Sequence, residues 1–222
     1  MNVLVIAAHP DDETLGCGGA ILRHRQAGDS VYWAIVTEAK SGSWSEEVIA
    51  AKAAEVAAVA AAYGIEKFWK LGFPTVKLDN IEQALLIQSI RDVVAAVRPA
   101  VVYLVHQGDV HTDHYAVFTA VLSVLKAFNM RQFGVERILS FETLSSTEAA
   151  PALANRVFLP TVFLDISAMI DEKLAIMALY VSEAQPDPLP RGPSAIRALA
   201  RYRGASVGVE YAEAFMLIRE LQ

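Results

Sequence analysis

Two short clusters of histidines and acidic residues stand out in the sequence. Residues 8–13 read AHPDDE, and residues 109–114, far downstream, read DVHTDH. Imidazole and carboxylate ligands suit a borderline ion such as zinc, and a catalytic zinc commonly takes three protein ligands and leaves one position open. We expect His9, Asp12 and His114 to be those three ligands.

The other residues of the clusters are of types that would complete a hydrolytic site. Asp11 cannot easily share an ion with Asp12, because neighbouring residues in a turn point in different directions. Its carboxylate is better placed as a general base for water. A protonated His111 would stabilise an oxyanion and protonate a leaving amine, and Asp113 would orient His111.

Simpler structural roles exist for the same residues. Asp11, Asp12 and Glu13 would also serve as N-cap and first-turn acids of a following helix, whose dipole they complement. Taken alone, His111 would be a hydrogen-bonded loop residue. Asp113 would be a helix cap, and a cap can also have a catalytic role. The pairing of the two clusters favours the metal site.

The elements that must position these residues alternate along the chain. The run Asn2–Ala8 is short, apolar and rich in β-branched residues, as in strands that are covered on both faces. Further strands are predicted at 30–37, 67–71, 100–105, 137–141 and 161–166, and helices at 46–63, 79–97, 169–180 and from the second cluster to Phe128. This alternation predicts an α/β fold, a single doubly wound, mostly parallel, Rossmann-like sheet with helices on both faces.

The same topology predicts where the two clusters lie. Ligands of open α/β sheets bind outside the carboxyl ends of the strands. Ala8 and Val105 each end a predicted strand shortly before a cluster. The two clusters should therefore meet at one edge of the sheet, and Pro10 should stiffen the first loop.

Taken together, these residues resemble a known family. AHPDDE after an N-terminal strand, with a later H-x-D-H, resembles the PIG-L/LmbE-like zinc-dependent N-acetylglucosaminyl deacetylases. Residues 15–19 (LGCGG) and 211–215 (YAEAF) are similar to that family's glycine-rich segment and its C-terminal Y-A-E-x-F. The resemblance covers most of the chain.

The resemblance implies a hydrolase that removes acetyl from an N-acetylated amino sugar or sugar conjugate. It implies Zn²⁺ or another divalent metal, a zinc-bound water that attacks the acetamide carbonyl, and Asp11 as the base. It also implies a small-molecule partner and a homo-oligomer, trimer or hexamer. Relatives that act on thiol-linked or lipid-linked sugars carry arginine and aspartate near Lys52 and Thr75, so sugar contacts cannot simply be carried over.

Several residues outside the two clusters have weaker signals. The glycines of 15–19 do not follow the strand directly, as in a dinucleotide-binding loop, and close packing explains them better. Cys17 is expected in the core, and His24 and His106 are expected to be structural. Glu213, expected on a C-terminal helix, is equally consistent with a site role and with an ion pair. The proline-rich 185–193 loop is expected to lie over the site or to contact another subunit, and contacts of Lys52 or of this loop with substrate stay open.

Composition bounds the class of protein. The 222 residues are 54% hydrophobic, which favours one domain over 1–222, with a proline-rich loop near 185–193 and a C-terminal helical segment. The net charge of −6, without basic clusters, disfavours nucleic acid and anionic membranes as partners. No apolar run approaches about 18 residues, so no membrane span is expected. The start at Met1 without a cleavable leader and the single cysteine indicate a cytoplasmic protein.

Three other functions remain open from the residues alone. The catalytic set would also serve a zinc-dependent amidohydrolase of a non-sugar N-acyl substrate, which a panel of N-acyl compounds would distinguish. A nucleotide-binding Rossmann module would use the glycines and have no use for His9 and His114. A sugar-binding protein without turnover would keep the metal, but Asp11 and His111 argue against it.

Overall fold

The computed structural model describes residues 1–42 and 44–222. Its centre is one seven-stranded sheet with the strand order β3-β2-β1-β4-β5-β7-β6. Strands β1 to β5 pair in parallel, and β7 runs antiparallel to both β5 and β6. The mostly parallel α/β sheet is therefore confirmed. The strands are β1 Asn2–Ala7, β2 Ser30–Glu38, β3 Lys67–Pro74, β4 Val101–Val105, β5 Arg137–Phe141, β6 Val162–Asp165 and β7 Ala212–Glu220.

The helices follow the predicted order, but some of their ends differ from the prediction. Residues Leu78–Asn80 form a separate 3₁₀ turn, so the third helix begins only at Gln83. The helix after the second cluster stops at Val124, and Phe128 belongs to the next helix. The helices are α1 Asp12–Gln26, α2 Glu46–Tyr63, α3 Gln83–Val97, α4 Thr112–Val124, α5 Ala127–Phe133, α6 Ile170–Met177 and α7 Pro193–Ala205. Among the described residues, no helix has the length and hydropathy needed to cross a bilayer.

Local capping explains why α2 matches its predicted ends. The Ser45 side chain accepts a hydrogen bond from the Val48 N–H at the start of this helix. Gly64 ends it with a φ of 63°, a left-handed conformation that glycine adopts at little cost.

The C-terminal segment differs from the prediction. After the proline-rich loop, α7 is helical, but the chain then returns to the sheet as β7. The expectation that Glu213 lies on a helix is therefore wrong. The physical reason is that β7 lies between β5 and β6 and is hydrogen-bonded on both edges, and Ala212, Ala214 and Phe215 are buried there.

The order of the strands positions the site. Strand β1 has β2 on one side and β4 on the other: the chain runs from β1 outward through β2 to β3, and then crosses back to β4 on the opposite side of β1. At such a point the carboxyl ends of two neighbouring strands border a crevice. Residues Val3–Ala8 are completely buried, which fixes the backbone that leads into His9.

The glycines of residues 15–19 pack closely against other elements. A Cβ atom at Gly16 would lie 2.0 Å from the Phe141 ring, and one at Gly19 would lie 2.5 Å from Ile166. At Gly18 it would meet the Tyr63 hydroxyl at 2.4 Å. These distances confirm close packing as the reason for the glycines, and they give no support to a nucleotide-binding loop.

Candidate metal centre and active site

Three histidines meet at the carboxyl ends of β1 and β4. His9 follows β1, while His111 and His114 lie at the start of α4. Each offers a ring nitrogen, and these atoms lie within 4.8 Å of one another. The ring centroids of His9 and His111 are 4.2 Å apart, and those of His9 and His114 are 5.4 Å apart. This group can bind a metal ion, because neutral imidazoles are common ligands of transition metals.

The carboxylate of Asp12 lies between two of these rings. Its Oδ1 is 3.3 Å from His114 Nε2, and its Oδ2 is 3.6 Å from His9 Nδ1. Oδ2 also accepts a hydrogen bond of 2.8 Å from the His9 backbone N–H, which fixes the turn. The structure thus brings together the three predicted ligands, His9, Asp12 and His114.

In His9 and in His114, a second carboxylate contacts the ring nitrogen that does not face Asp12. Asp113 Oδ2 is 3.0 Å from His9 Nε2, and Asp109 Oδ2 is 2.6 Å from His114 Nδ1. In each ring, one nitrogen therefore contacts Asp109 or Asp113, and the other nitrogen is directed at Asp12. Metal-binding histidines are typically oriented in this way by an outer carboxylate.

Asp113 does not contact His111 as expected. Its Oδ2 is 4.0 Å from His111 Nδ1, because the carboxylate is occupied by His9 and by the Val76 N–H at 2.7 Å. Instead, the Asp113 backbone N–H donates to His111 Nδ1 at 3.2 Å. His111, not Thr112 or Asp113, thereby caps α4. Since Nδ1 accepts, a neutral His111 ring carries its proton on Nε2.

Asp11 occupies a strained position. Its φ is 100°, which is uncommon for a residue other than glycine, and its side chain makes no capping hydrogen bond to α1. The simple capping explanation therefore does not fit Asp11. The carboxylate is buried, and its Oδ2 accepts a hydrogen bond of 3.2 Å from Arg191. Strain of this kind tends to occur at functional sites.

The electrostatics of the two rings reflect their carboxylate partners. Burial alone lowers the pKa of His9, but hydrogen bonds to Asp113 and Asp12 outweigh it and raise the pKa to about 9. Burial also lowers the pKa of His114, while the charge of Asp12 and the hydrogen bond to Asp109 raise it to about 10. Both rings thus hold positive charge next to Asp12, where a bound cation would replace their protons.

The pKa values of the remaining groups differ strongly from one another. Burial raises the pKa of Asp11 well above its usual value, and the charges of Asp12 and Glu183 add to this effect. Burial opposes ionisation of Asp12 too, but His114 and His9 lower its pKa well below the usual range. Burial, together with the charges of His9 and His114, lowers the pKa of His111 to about 4. Adjacent carboxylates with opposite shifts are typical of acid–base sites.

Glu13 fixes the turn from inside the protein. Its Oε1 accepts hydrogen bonds from the hydroxyls of Thr14 at 2.6 Å and Tyr180 at 2.7 Å. Its Oε2 accepts from the Asp11 backbone N–H at 3.2 Å. Burial raises the pKa of Glu13 to about 7, against the effect of the two hydroxyls. Glu13 therefore supports the strained conformation of Asp11.

The proline-rich loop reaches the site through Arg191. Besides Asp11, its Nη1 donates to Glu183 Oε2 at 3.0 Å, and Glu183 also binds Lys52 of α2. This chain of charges closes one side of a cavity above the histidines. From the two clusters the cavity is lined by His9, Pro10, Asp11, Asp12, His111 and His114. The other residues that line it include Thr37, Glu38, Trp44, Lys52, Val56, Lys70, Thr75, Thr143, Ser145, Ser146, Glu183 and Arg191.

Other residues singled out in the sequence lie outside this cavity. Cys17 is buried, and burial raises the pKa of its thiol well above the usual value, which keeps it protonated. His24 binds Asp29 at 2.8 Å, and His106 binds a backbone carbonyl oxygen at 2.8 Å, as expected of structural histidines. Glu213 is buried and binds backbone N–H groups of α1.

Sequence reasoning missed three residues of the site. Asp109 stands inside the quoted second cluster, and its spacing of five residues from His114 was an available signal. The sequence contains no such signal for Arg191 and Glu183, because most of the chain separates them from Asp11. Only the fold brings the proline-rich loop against the first cluster.

The sequence of the chain is similar to those of known proteins. The family model described as PIG-L, GlcNAc-PI de-N-acetylase, matches residues 4–125. The diacetylchitobiose deacetylase of Thermococcus kodakarensis is 26% identical, with 98% of this chain and 83% of that protein covered.

Two solved structures share the fold. The conserved protein TT1542 of Thermus thermophilus is 30% identical, with a TM-score of 0.77 and coverage of 99% of this chain and 96% of that one. The N,N'-diacetylchitobiose deacetylase of Pyrococcus horikoshii is 21% identical, with a TM-score of 0.75 and coverage of 98% and 83%. With its sheet, its paired clusters and the family match over more than half its length, the chain belongs to the PIG-L family.

Proposed function

We propose that the protein is a metal-dependent N-deacetylase that hydrolyses the acetamide of an N-acetylated amino sugar or its conjugate. The observation that carries the proposal is the pair of imidazoles, His9 and His114, that direct one nitrogen each at Asp12 while outer carboxylates hold the other nitrogen. Membership of the PIG-L family and similarity to a diacetylchitobiose deacetylase support the substrate class.

His9, Asp12 and His114 would hold the ion. Their donor set of two imidazoles and one carboxylate fits catalytic zinc, which takes ligands of this kind and keeps an open position. His111 is the less suitable third imidazole, because its Nδ1 accepts from a backbone N–H and its neutral Nε2 is therefore a donor. When bound, the ion supplies Lewis acidity for amide hydrolysis.

Asp11 and His111 would perform the proton transfer and polar stabilisation. In the hydrolysis, the oxygen of water bonds to the acyl carbon and the carbon–nitrogen bond breaks. The Asp11 carboxylate, whose pKa burial raises, takes a proton from the water and can return it to the leaving nitrogen. His111, with its low pKa, would donate its neutral Nε2–H to the acyl oxygen, in place of the charged imidazole expected from the sequence.

Arg191 and Glu13 would keep Asp11 in place during this transfer. The hydrogen bond from Arg191 holds one carboxylate oxygen, and Glu13 holds the backbone N–H of the same residue. The products of the reaction are acetate and a free amine. This assignment uses every titratable residue of the two clusters.

The cavity wall suits a neutral, hydroxyl-rich ligand. It pairs an exposed aromatic face, Trp44, with side chains of both charges, among them Lys52 and Lys70. The two lysines are bound to Glu183 and Glu38, so the wall has little uncompensated charge. Indole faces and paired polar groups are suited to bind sugar rings, because these rings have apolar faces and hydroxyl edges.

A non-sugar N-acyl substrate is the second candidate, because the groups assigned to catalysis contact only the acyl carbon, its oxygen and the leaving nitrogen. The experiment that tests both candidates is a release assay for acetate. The zinc-loaded protein would be given N-acetylglucosamine, diacetylchitobiose and N-acetyl amino acids, before and after chelation. We expect release from an amino sugar and its loss with chelator. Release from the amino acids alone would favour the second candidate, and chelator-resistant release would contradict metal dependence.

A further inference from the structure

Helix α1 is interrupted directly after the residues of the first cluster. In a regular helix the Leu15 carbonyl would accept from the Gly19 N–H, and the Gly16 carbonyl from the Ala20 N–H. Here the backbone leaves the helical region at Cys17, with φ −142° and ψ 24°. The N–H groups of Gly19 and Ala20 donate to the Glu213 carboxylate at 2.7 and 2.8 Å instead.

Lys173 of α6 occupies the other side of the break. Its Nζ donates to the Leu15 carbonyl oxygen at 2.9 Å and to Glu213 Oε1 at 2.7 Å. The two side chains are almost fully buried, with 4% of each exposed. A buried ion pair therefore replaces both partners of the missing Leu15–Gly19 hydrogen bond. Side chains inserted into a helix in this way bend it.

Stability alone does not account for this pair. Buried ion pairs are expensive to desolvate, and replacement by apolar residues of similar size is often neutral or stabilising. What the pair changes is the direction of the first turn. That turn carries Asp12 and starts at Asp11, whereas the segment after the break packs against the sheet through Gly19 and Ile166.

We propose that Lys173 and Glu213 are positioning residues that fix the direction of the first turn of α1. Through that turn they set the places of Asp11 and Asp12 relative to the histidines. This inference rests on the proposed function of the turn. It also assigns a role to the YAEAF segment, none of whose residues lines the cavity in the described part of the chain.

The test replaces both residues at once, in the variant Lys173→Met/Glu213→Met. Methionine matches the length of glutamate and is one atom shorter than lysine; it removes both charges and leaves the Leu15 carbonyl free to bond with the Gly19 N–H. We expect a melting temperature of the metal-free variant no lower than that of the wild type. We also expect at least about tenfold weaker Co²⁺ binding with an altered Co²⁺ absorption spectrum. The rate constant kcat should fall about 100-fold while KM changes little, because misplacement by about 1 Å has effects of this size.

The control removes another ion pair of the same region. Arg203 donates to the Glu142 carboxylate at 2.7 Å through Nε and Nη2, and neither side chain hydrogen-bonds α1 within the described residues. The variant Arg203→Met/Glu142→Met should keep the Co²⁺ spectrum, the Co²⁺ affinity and kcat of the wild type. A loss equal to that of the first variant would overturn the inference, because removal of charge alone would then suffice.

The readouts separate this inference from the proposed function. Wild-type protein that binds no Co²⁺ would contradict the metal site itself. Wild-type binding with an unchanged spectrum and rate in the Lys173→Met/Glu213→Met variant would overturn only the positioning role. If that variant does not fold, the variant Glu213→Gln tests the inference, because glutamine keeps the size of the side chain and one of its two acceptor oxygens. Its Co²⁺ spectrum should change, and a wild-type spectrum would overturn the inference.

Discussion

The carboxylate behind His114 offers a sharp test of the site. Asp109 Oδ2 lies 2.6 Å from His114 Nδ1, and the Asp109 side chain has no exposed surface. The substitution Asp109→Asn keeps the shape of the side chain and removes its charge. If His114 binds the metal through Nε2, the loss of charge should make the ring a weaker ligand without moving it.

The size of the effect follows from the contact. Substitution of outer-sphere partners of metal ligands typically costs about 10- to 100-fold in metal affinity, or about 1.4–2.7 kcal/mol. Asp113→Asn should have a similar effect through His9, since its Oδ2 lies 3.0 Å from His9 Nε2. The two rings share Asp12 as a partner, so the free-energy cost of the double variant should differ from the sum of the two single costs.

The assay is a competition for Zn²⁺ between each variant and a chromophoric chelator of known affinity. Asp79→Asn is the matched control, because Asp79 is an exposed acid of the neighbouring 3₁₀ turn whose side chain, among the described residues, hydrogen-bonds only Asn80. Melting of the metal-free variants separates loss of affinity from loss of fold. Wild-type zinc affinity in a folded Asp109→Asn variant would refute the reasoning about His114.

Four further predictions concern the turn, its packing and its protons. Asp11→Asn should keep zinc but lose about 100- to 10,000-fold in kcat, and an unchanged rate in the acetate assay would remove Asp11 from the mechanism. Gly16→Ala places a Cβ 2.0 Å from the Phe141 ring and should lower the free energy of unfolding by about 1–3 kcal/mol in urea titrations, unless Phe141→Leu accompanies it. Val76 has a φ of 58°, which is strained for a β-branched residue, so Val76→Gly should raise the melting temperature, and a lower one would contradict the strain. Finally, the pKa values of about 9 for His9 and about 10 for His114 mean that both rings are protonated near pH 7. Zinc must displace one proton from each ring, so its apparent affinity should rise about 100-fold per pH unit below pH 9. Calorimetric titrations at several pH values, in buffers of different ionisation enthalpy, measure this affinity. An affinity that does not depend on pH would contradict the prediction.

The sheet and the meeting of the two clusters followed from the sequence because the relevant signals are local. Strand β1 is a continuous apolar run, and Gly64 marks the end of α2 directly. Once the strands are known, the rule for open α/β sheets places His9 and His114 at one edge. Neither step needs knowledge of tertiary contacts.

The parts that could not be predicted depend on contacts between distant segments. Strand β7 contains buried apolar residues but reads as a helix until its neighbours β5 and β6 are known. A position of the proline-rich loop over the site was one of two alternatives from the sequence, but the hydrogen bond from Arg191 to Asp11 could not be predicted. The carboxylate of Asp113 was expected to contact His111. It binds His9 and the Val76 N–H instead, and sequence spacing could not predict these competing partners.

The central claim is that His9, Asp12 and His114 hold one divalent ion while His111 stays free as a donor. Crystals of the zinc-loaded protein, measured on both sides of the zinc absorption edge, test it most directly. We predict one anomalous peak bonded to His9 Nδ1, the Asp12 carboxylate and His114 Nε2, with Asp109 and Asp113 still on the outer nitrogens. A peak bonded to His111 in place of Asp12, or no peak between the two rings, would contradict the account.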